Sequence, residues 1–386
     1  MTPFNFNTTP SVRFGEGIAA DLGNIAGSVL GTKVLFVTDP GIMSLGLADR
    51  AVDSLKEAGL TMAIFSEVEA DPSLDTLQKA VELAGSLGAT GVIGFGGGSS
   101  MDIAKLVALL AGSGEDIDEA WGVANAKGPR LPLVLVPTTA GTGSEATPVS
   151  IITVGGEEKR GVSSPIILPD IAILDPDLTL GLPAATTAAT GVDAMVHAIE
   201  AYASKNANNN PVSKMLARQA LQLLGANIET AVFNGSDVKA RGAMLLGSML
   251  AGQAFANSPV AAVHALAYPI GGTFHVPHGL SNALVLPHVL RFNAPDAAPL
   301  YAEIAADAFP GLANEAGTQS RCAGFIEALA DLSRKLGLQT TLREVGISEG
   351  DLPKMAADSM LQTRLLVNNP REVTEADALA IYKAAL

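Results

Sequence analysis

The sequence predicts an α/β domain built on a parallel sheet, followed by an all-helical domain. Three observations predict it. Up to about residue 182, short β-branched runs alternate with helical stretches, the pattern of a parallel sheet with crossover helices. Beyond the proline-rich segment IILPDIAILDPDLTLGLP (166–183), long β runs stop and Ala- and Leu-rich helical periodicity takes over. The 386 residues also suffice for two separate cores. The boundary is expected near Leu182, giving domains 1–182 and 183–386.

The elements follow in order. The opening FNFNTTPSVRFGEG reads as a separate hairpin, one that could pair across a homodimer. KVLFVTDPG (33–41) is a strand ending at a turn. The helix LADRAVDSLKEAG, the strand TMAIFSEV and the helix LDTLQKAVELAGSLG come next. TGVIGFGGG is a strand running into the helix SSMDIAKLVALLAG, and LPLVLVPTT (131–139) is a further strand running into a polar loop. In the second half GVDAMVHAIEAYAS, SKMLARQALQLLGANIETAV, VKARGAMLLGSMLAGQAFA and GFIEALADLSRKLG read as helices. The default place for a ligand in such a protein is the cleft between its domains.

Composition narrows the function. Hydrophobic residues make up 48% and charged residues 16%, which is globular composition. A net charge of -15 is the wrong sign for a nucleic-acid partner or an anionic membrane. No apolar run approaches the ~20 residues that span a bilayer, and MTPFNFNTTP lacks the regions of a signal peptide. Cys322 is the only cysteine, which excludes an intrachain disulfide and reads as a buried hydrophobe. A cytoplasmic protein is the expectation.

Two loops point to a nucleotide. GGGSSMDIAK (96–105) sets Gly97 and Gly98 after a strand and at the start of a helix, where backbone can approach a phosphate and unpaired N–H groups face it. Ser99 and Ser100 add hydroxyls, and Asp102 either caps the helix or meets a polar part of the ligand. PTTAGTGSE (137–145) also follows a strand and carries Thr138, Thr139, Thr142 and Ser144. Polar loops at strand C-termini are where an open parallel sheet binds its ligand. Asp39, at the end of the KVLFV strand, either accepts from a ribose diol, favouring NAD(H) over NADP(H), or simply opens the turn TDPG. Lys159 either meets a phosphate or is solvated.

All five histidines lie between residues 197 and 288. GVDAMVHAIE (191–200) puts Asp193 and His197 at i and i+4 on one helix face. HALAYPIGGTFHVPHG (264–279) supplies His264 from a second helix and His278 from a following turn. Three imidazoles and a carboxylate suit Fe2+ or Zn2+ better than Mg2+ or Ca2+, and an open position would make the ion a Lewis acid. His275 and His288 are not expected to be ligands.

Taken together, VRFGEG, GGGSSMDIAK, PTTAGTGSE, KRGVSSP, LPDIAILDP, GVDAMVHAIEAY, HALAYPIGG and FHVPHGLSNAL resemble the iron-containing (group III) alcohol dehydrogenase family along essentially the whole chain. The resemblance implies a Rossmann-like dinucleotide-binding domain and a helical metal-binding domain, with metal and nicotinamide meeting in the cleft. It implies that Asp193, His197, His264 and His278 hold the metal. Gly97, Gly98 and Ser99 would hold the pyrophosphate of NAD, with Asp102 in the same loop, and Thr138, Thr139 and Thr142 would line the adenine and phosphate side. Lys159 would lie near the cofactor, and Asp39 would set the NAD preference. Many members carry a second histidine four residues after the equivalent of His264, often given a proton-transfer role; here it is Tyr268. His275 is the other candidate for proton transfer. Asp71 replaces a frequent Asn and is expected to have little effect. The implied activity is metal-dependent hydride transfer between NAD(H) and a small alcohol/aldehyde or hydroxyacid/oxoacid pair, in a homodimer. The alternatives are a hydroxyacid-oxoacid transhydrogenase and a lyase of dehydroquinate-synthase type.

Overall fold

The computed structural model describes residues 3–155 and 158–386. They form two compact units. One comprises Asn7–Thr139 and Gly143–Leu180, and the other comprises residues 3–6, Ala140–Thr142 and Gly181–Leu386.

The first unit is a six-stranded sheet with helices on both faces. Its strands are β1 (Ser11–Phe14), β2 (Lys33–Val37), β3 (Thr61–Phe65), β4 (Gly91–Gly96), β6 (Leu133–Pro137) and β9 (Ile171–Leu174), in the order β1-β9-β6-β4-β2-β3. All five neighbouring pairs are parallel. A smaller sheet joins β5 (Gly122–Val123) in parallel to β8 (Glu158–Ser163), and β8 in antiparallel to β7 (Val149–Val154). The helices are α1 (Leu22–Leu30), α2 (Pro40–Ser44), α3 (Asp49–Glu57), α4 (Leu74–Leu87), α5 (Gly98–Ser113) and α6 (Ile117–Ala120).

Strands buried on both faces read as continuous apolar runs, and the two faces alternate along them. Leu35, Val37, Val92, Leu133 and Leu135 pack with residues of α4 and α5, such as Leu77, Met101 and Val107. Val34, Phe36, Ile93, Phe95, Val134 and Val136 face the other way, against Leu22, Leu30, Val52 and Leu55 of α1 and α3. Local capping sets the helix ends: Ser73 caps α4 through Thr76 N–H, and Gly88 ends it in the left-handed region.

The expected N-terminal hairpin does not form. SVRF is a single strand, β1, in register with β9 from Ser11↔Ile171 to Phe14↔Leu174. Four residues before a glycine turn give no local sign of a partner so distant in the chain.

The second unit is helical: α7 (Ala184–Ala203), α8 (Pro211–Phe233), α9 (Val238–Asn257), α10 (Ala262–Phe274), α11 (His278–Ala308), α12 (Thr318–Lys335), α13 (Leu352–Ser359), α14 (Thr363–Leu366) and α15 (Glu375–Ala385). Every residue from Gly191 to Ala203 is buried, which makes α7 the central helix of the unit. Asn210 and Asp237 cap α8 and α9. His278, expected in a turn, is the first residue of α11.

The close fit of α5 to β4 depends on Gly94. A Cβ there would lie 2.7 Å from both Ala104 Cβ and Leu135 Cδ2. Gly94→Val is therefore expected to cost about 1–3 kcal/mol by overpacking and to lower the melting temperature by several degrees. An unchanged melting curve would show that α5 is not seated this tightly.

Candidate metal centre and cofactor loops

Helix α7 presents Asp193, His197 and Glu200 at i, i+4 and i+7, one stripe of a single face. Helix α10 contributes His264, and α11 contributes His278 from its first turn and Asn282 four residues on. Gly279 lets α11 begin close against α7: a Cβ there would lie 2.5 Å from Ala189 O and 3.3 Å from Asp193 Cβ. One potential ligand atom from each of Asp193, His197, His264 and His278 falls within 4.8 Å of all the others. The His197 and His264 rings stack with centroids 4.8 Å apart, and His264 and His278 lie 5.5 Å apart.

Hydrogen bonds behind the rings fix which nitrogen faces inward. His264 Nδ1 donates to Glu200 Oε2 at 2.6 Å, and His197 Nδ1 donates to Gly141 O at 3.2 Å. In a neutral imidazole this leaves Nε2 as an acceptor, and a carboxylate or carbonyl behind a ligating histidine is the usual way such rings are oriented. Burial holds the His197 imidazolium down to about 3, so the ring is neutral at pH 7. Burial pushes the Asp193 carboxyl up, but the three imidazoles and the Asn282 amide outweigh it and hold it below its ordinary value. Asn282 Nδ2 donates to Asp193 Oδ1 at 2.6 Å and lies 3.3 Å from Nε2 of both His264 and His278.

The donor set fits a divalent transition ion. Four potential ligand atoms converge, the one carboxylate among them is buried, and His197 and His264 turn their unprotonated nitrogens inward. Asp193, His197 and His264 are 2%, 4% and 3% exposed, whereas the His278 side chain is 45% exposed. The open side of the cluster is therefore the His278 side. Tyr268, one turn after His264, stands there with its ring centroid 6.4 Å from that of His278. His275 is exposed, outside the cluster; it ends α10 at φ 55 with its N–H on Gly271 O. His288 is away from the cluster too, lining a separate cavity with Arg291 and Arg334.

The sheet unit carries the loops. Adjacent strands β2, β4 and β6 end respectively at Asp39, at Gly96–Ser99 and at Thr138–Thr139, the same edge of a parallel sheet. Gly97 is the N-cap of α5, with no side chain capping it and no acid in the first turn, which leaves the positive helix end to an anion. Gly96 has φ 152 and its absent Cβ would lie 3.2 Å from Asp39 Oδ2 and 2.7 Å from Ser100 Oγ. Thr139 borders Gly97, 3.7 Å from a Cβ there. Asp39 opens the turn, with Oδ1 capping α2 by accepting from Ile42 N–H at 3.0 Å, while Oδ2 lies toward Gly96. Thr138 is buried, with its N–H on Gly96 O. Thr142 groups with the helical unit, beside the Gly141 carbonyl that His197 uses.

Asp102 is committed within the protein. Its Oδ1 accepts from Ser144 Oγ at 2.7 Å and its Oδ2 from Ile151 N–H at 2.9 Å. Lys105, fully buried one turn later, donates to Ser144 Oγ, Thr147 Oγ1 and Val149 O, and burial pushes its ammonium down to about 8. The pair pins the segment after β6 onto α5, a support role that the D-x-x-K spacing signalled and the sequence reading passed over. Lys159 is not simply solvated: it pairs with Asp71 Oδ1 at 2.6 Å and donates to Thr153 Oγ1 at 3.0 Å. Asp71 sits at φ 55, a conformation Asp and Asn tolerate, so the residue expected to matter little fixes a cation.

Residues 9–176 match the model of iron-containing alcohol dehydrogenase, and residues 187–386 match that of the Fe-containing alcohol dehydrogenase family, C-terminal. The chain belongs to the iron-containing alcohol dehydrogenase family. It is 41% identical over 362 residues to long-chain-alcohol dehydrogenase 1 of Geobacillus thermodenitrificans, covering 92% of this chain and 90% of that one. Its fold matches the crystal structure of 1,3-propanediol oxidoreductase with TM-score 0.95 and 35% identity, covering 100% of both chains. It also matches the sulfoacetaldehyde reductase of Bifidobacterium kashiwanohense in complex with NAD+, with TM-score 0.88 and 26% identity, covering 100% of this chain and 99% of that one.

Glu200, Gly141 and Asn282 are the residues around the cluster that the sequence reading missed. Glu200→Gln is expected to weaken metal binding about 10- to 100-fold, read by titration calorimetry, with the helical circular dichroism retained. Unchanged affinity would mean that His264 needs no carboxylate behind it.

Proposed function

We propose that the protein transfers hydride between NAD(H) and a small alcohol/aldehyde or hydroxyacid/oxoacid pair, with Fe2+ (or Zn2+) held by Asp193, His197, His264 and His278. The convergence of those four side chains carries the reading. When bound, the ion supplies a Lewis acid for the substrate oxygen and the nicotinamide supplies or accepts the hydride.

The chain's own residues do the rest. Glu200 and the Gly141 carbonyl keep two imidazoles aimed inward. Gly97, Gly98 and Ser99 hold the pyrophosphate at the N-terminus of α5, with Thr138, Thr139 and Thr142 on the adenine and phosphate side. Asp39 receives the ribose diol and repels a 2′-phosphate. Asp102 keeps its place in the cofactor loop by anchoring Ser144 and Ile151, and Lys159 stands near the cofactor with Asp71 balancing its charge. Tyr268, rather than the exposed His275, is the nearer group for proton exchange at the open side of the cluster.

The same reading makes the protein a cytoplasmic homodimer. The single cysteine suits a reducing compartment, and β1 lies at the margin of its sheet, where a second copy can extend it. No helix among the described residues is long and apolar enough to cross a membrane.

Metal-stripped protein restored anaerobically with Fe2+ or Zn2+ is expected to change NADH absorbance with alcohols, aldehydes or hydroxyacids. His197→Ala should lose most of the metal and lower kcat/KM by at least about 100-fold. Full metal stoichiometry in that variant would contradict the ligand set, and metal-independent turnover would contradict the mechanism.

A further inference from the structure

Resting on that reading of the site, we propose that Arg364 selects substrates that carry an anionic tail, a carboxylate or sulfonate, a few bonds from the reacting carbon. Three observations place it there. The cluster opens on the His278 side, where Tyr268 stands. Arg364, on the short helix α14, donates from Nη2 to Tyr268 Oη at 3.3 Å. Its backbone is set in place by a buried amide: Asn368 Nδ2 donates to Arg364 O and to Val260 O, both at 3.0 Å, just ahead of the helix that carries His264. Asn368 is 1% exposed, and the neighbouring Leu365 is buried as well.

The chemistry of the guanidinium then matters. It has five donors in a planar fork suited to an oxyanion, and a phenol oxygen 3.3 Å away is a weak, neutral acceptor for one of them. No carboxylate of the described residues pairs with Arg364, although the chain has 39 acidic against 24 basic side chains. An exposed guanidinium on an anchored backbone, beside the open face of the cluster and without an acidic partner among the described residues, matches an anion brought by the substrate. A plain aliphatic alcohol offers it nothing.

The test compares three aldehydes with one skeleton, 4-oxobutanoate, 3-oxopropane-1-sulfonate and butanal, in NADH-dependent reduction by metal-loaded enzyme. The wild type is expected to prefer the anions in kcat/KM. In Arg364→Ala that preference should fall roughly 10- to 100-fold, mainly through KM, with Arg364→Lys intermediate. Calorimetric titration with 4-hydroxybutanoate and with 1-butanol should show the same loss for the acid alone. Preference for only one of the anions supports the proposal and identifies the tail. A wild type that reduces butanal as well as the anions overturns it, as does an Arg364→Ala variant that loses equally on all three, which marks a structural role. Turnover of none of the three would instead contradict the dehydrogenase reading itself, and this proposal with it.

Discussion

The geometry of the histidine–aspartate cluster depends on one buried carboxylate. Glu200 accepts the Nδ1 proton of His264 and, with its two oxygens, the N–H groups of Ala261 and Val263. It therefore ties α7 to the start of α10 and sets the tautomer of a ring whose other nitrogen faces Asp193. A buried anion is costly unless it is paired and hydrogen-bonded, and Glu200 is both. Asp193 is the second buried carboxylate of the group, surrounded by imidazoles and one amide rather than by a fixed cation. A divalent ion bound at the point of convergence would complete that charge balance.

The sheet unit uses a similar device with the charges reversed. Lys105 is fully buried and held by three oxygens, with Asp102 3.8 Å away. Between them they fix Ser144 and the start of β7, while Gly94 lets α5 lie close on β4. The helix N-terminus at Gly97 is thus positioned by buried contacts on one side and left uncapped on the other. Glu145 lies within the pinned segment, buried, with Oε1 lacking a partner among the described residues, and burial pushes its carboxyl up to about 7. This charged substructure holds a backbone edge rigid where the glycines would otherwise leave it loose.

What the sequence made legible follows the range of each interaction. Strands β2, β3, β4 and β6 and helices α7, α8, α9 and α12 announce themselves by local periodicity, whereas the 31-residue α11, with Pro287, Pro295 and Pro299 inside it, does not; the four converging side chains show through an i, i+4 pair and a cluster of histidines. Glu200 lay inside the same quoted stretch as Asp193 and His197, one turn on, yet its meaning depends on a ring 64 residues away. The same holds for β1, whose partner is β9, and for the Asp71–Lys159 pair. Arg364 had no signal at all: α14 is four residues long, too short for periodicity, and its place is set by Asn368. Asp39 shows the opposite case: its capping of α2 through Ile42 N–H is local and legible in TDPG.

The most direct test is X-ray absorption at the iron edge on protein loaded anaerobically with Fe2+. Convergence of Asp193, His197, His264 and His278 on one ion predicts a first shell of nitrogen and oxygen donors with the outer-shell scattering of three imidazole rings. A shell of oxygens without imidazole scattering would contradict it, and would place the iron elsewhere on the protein.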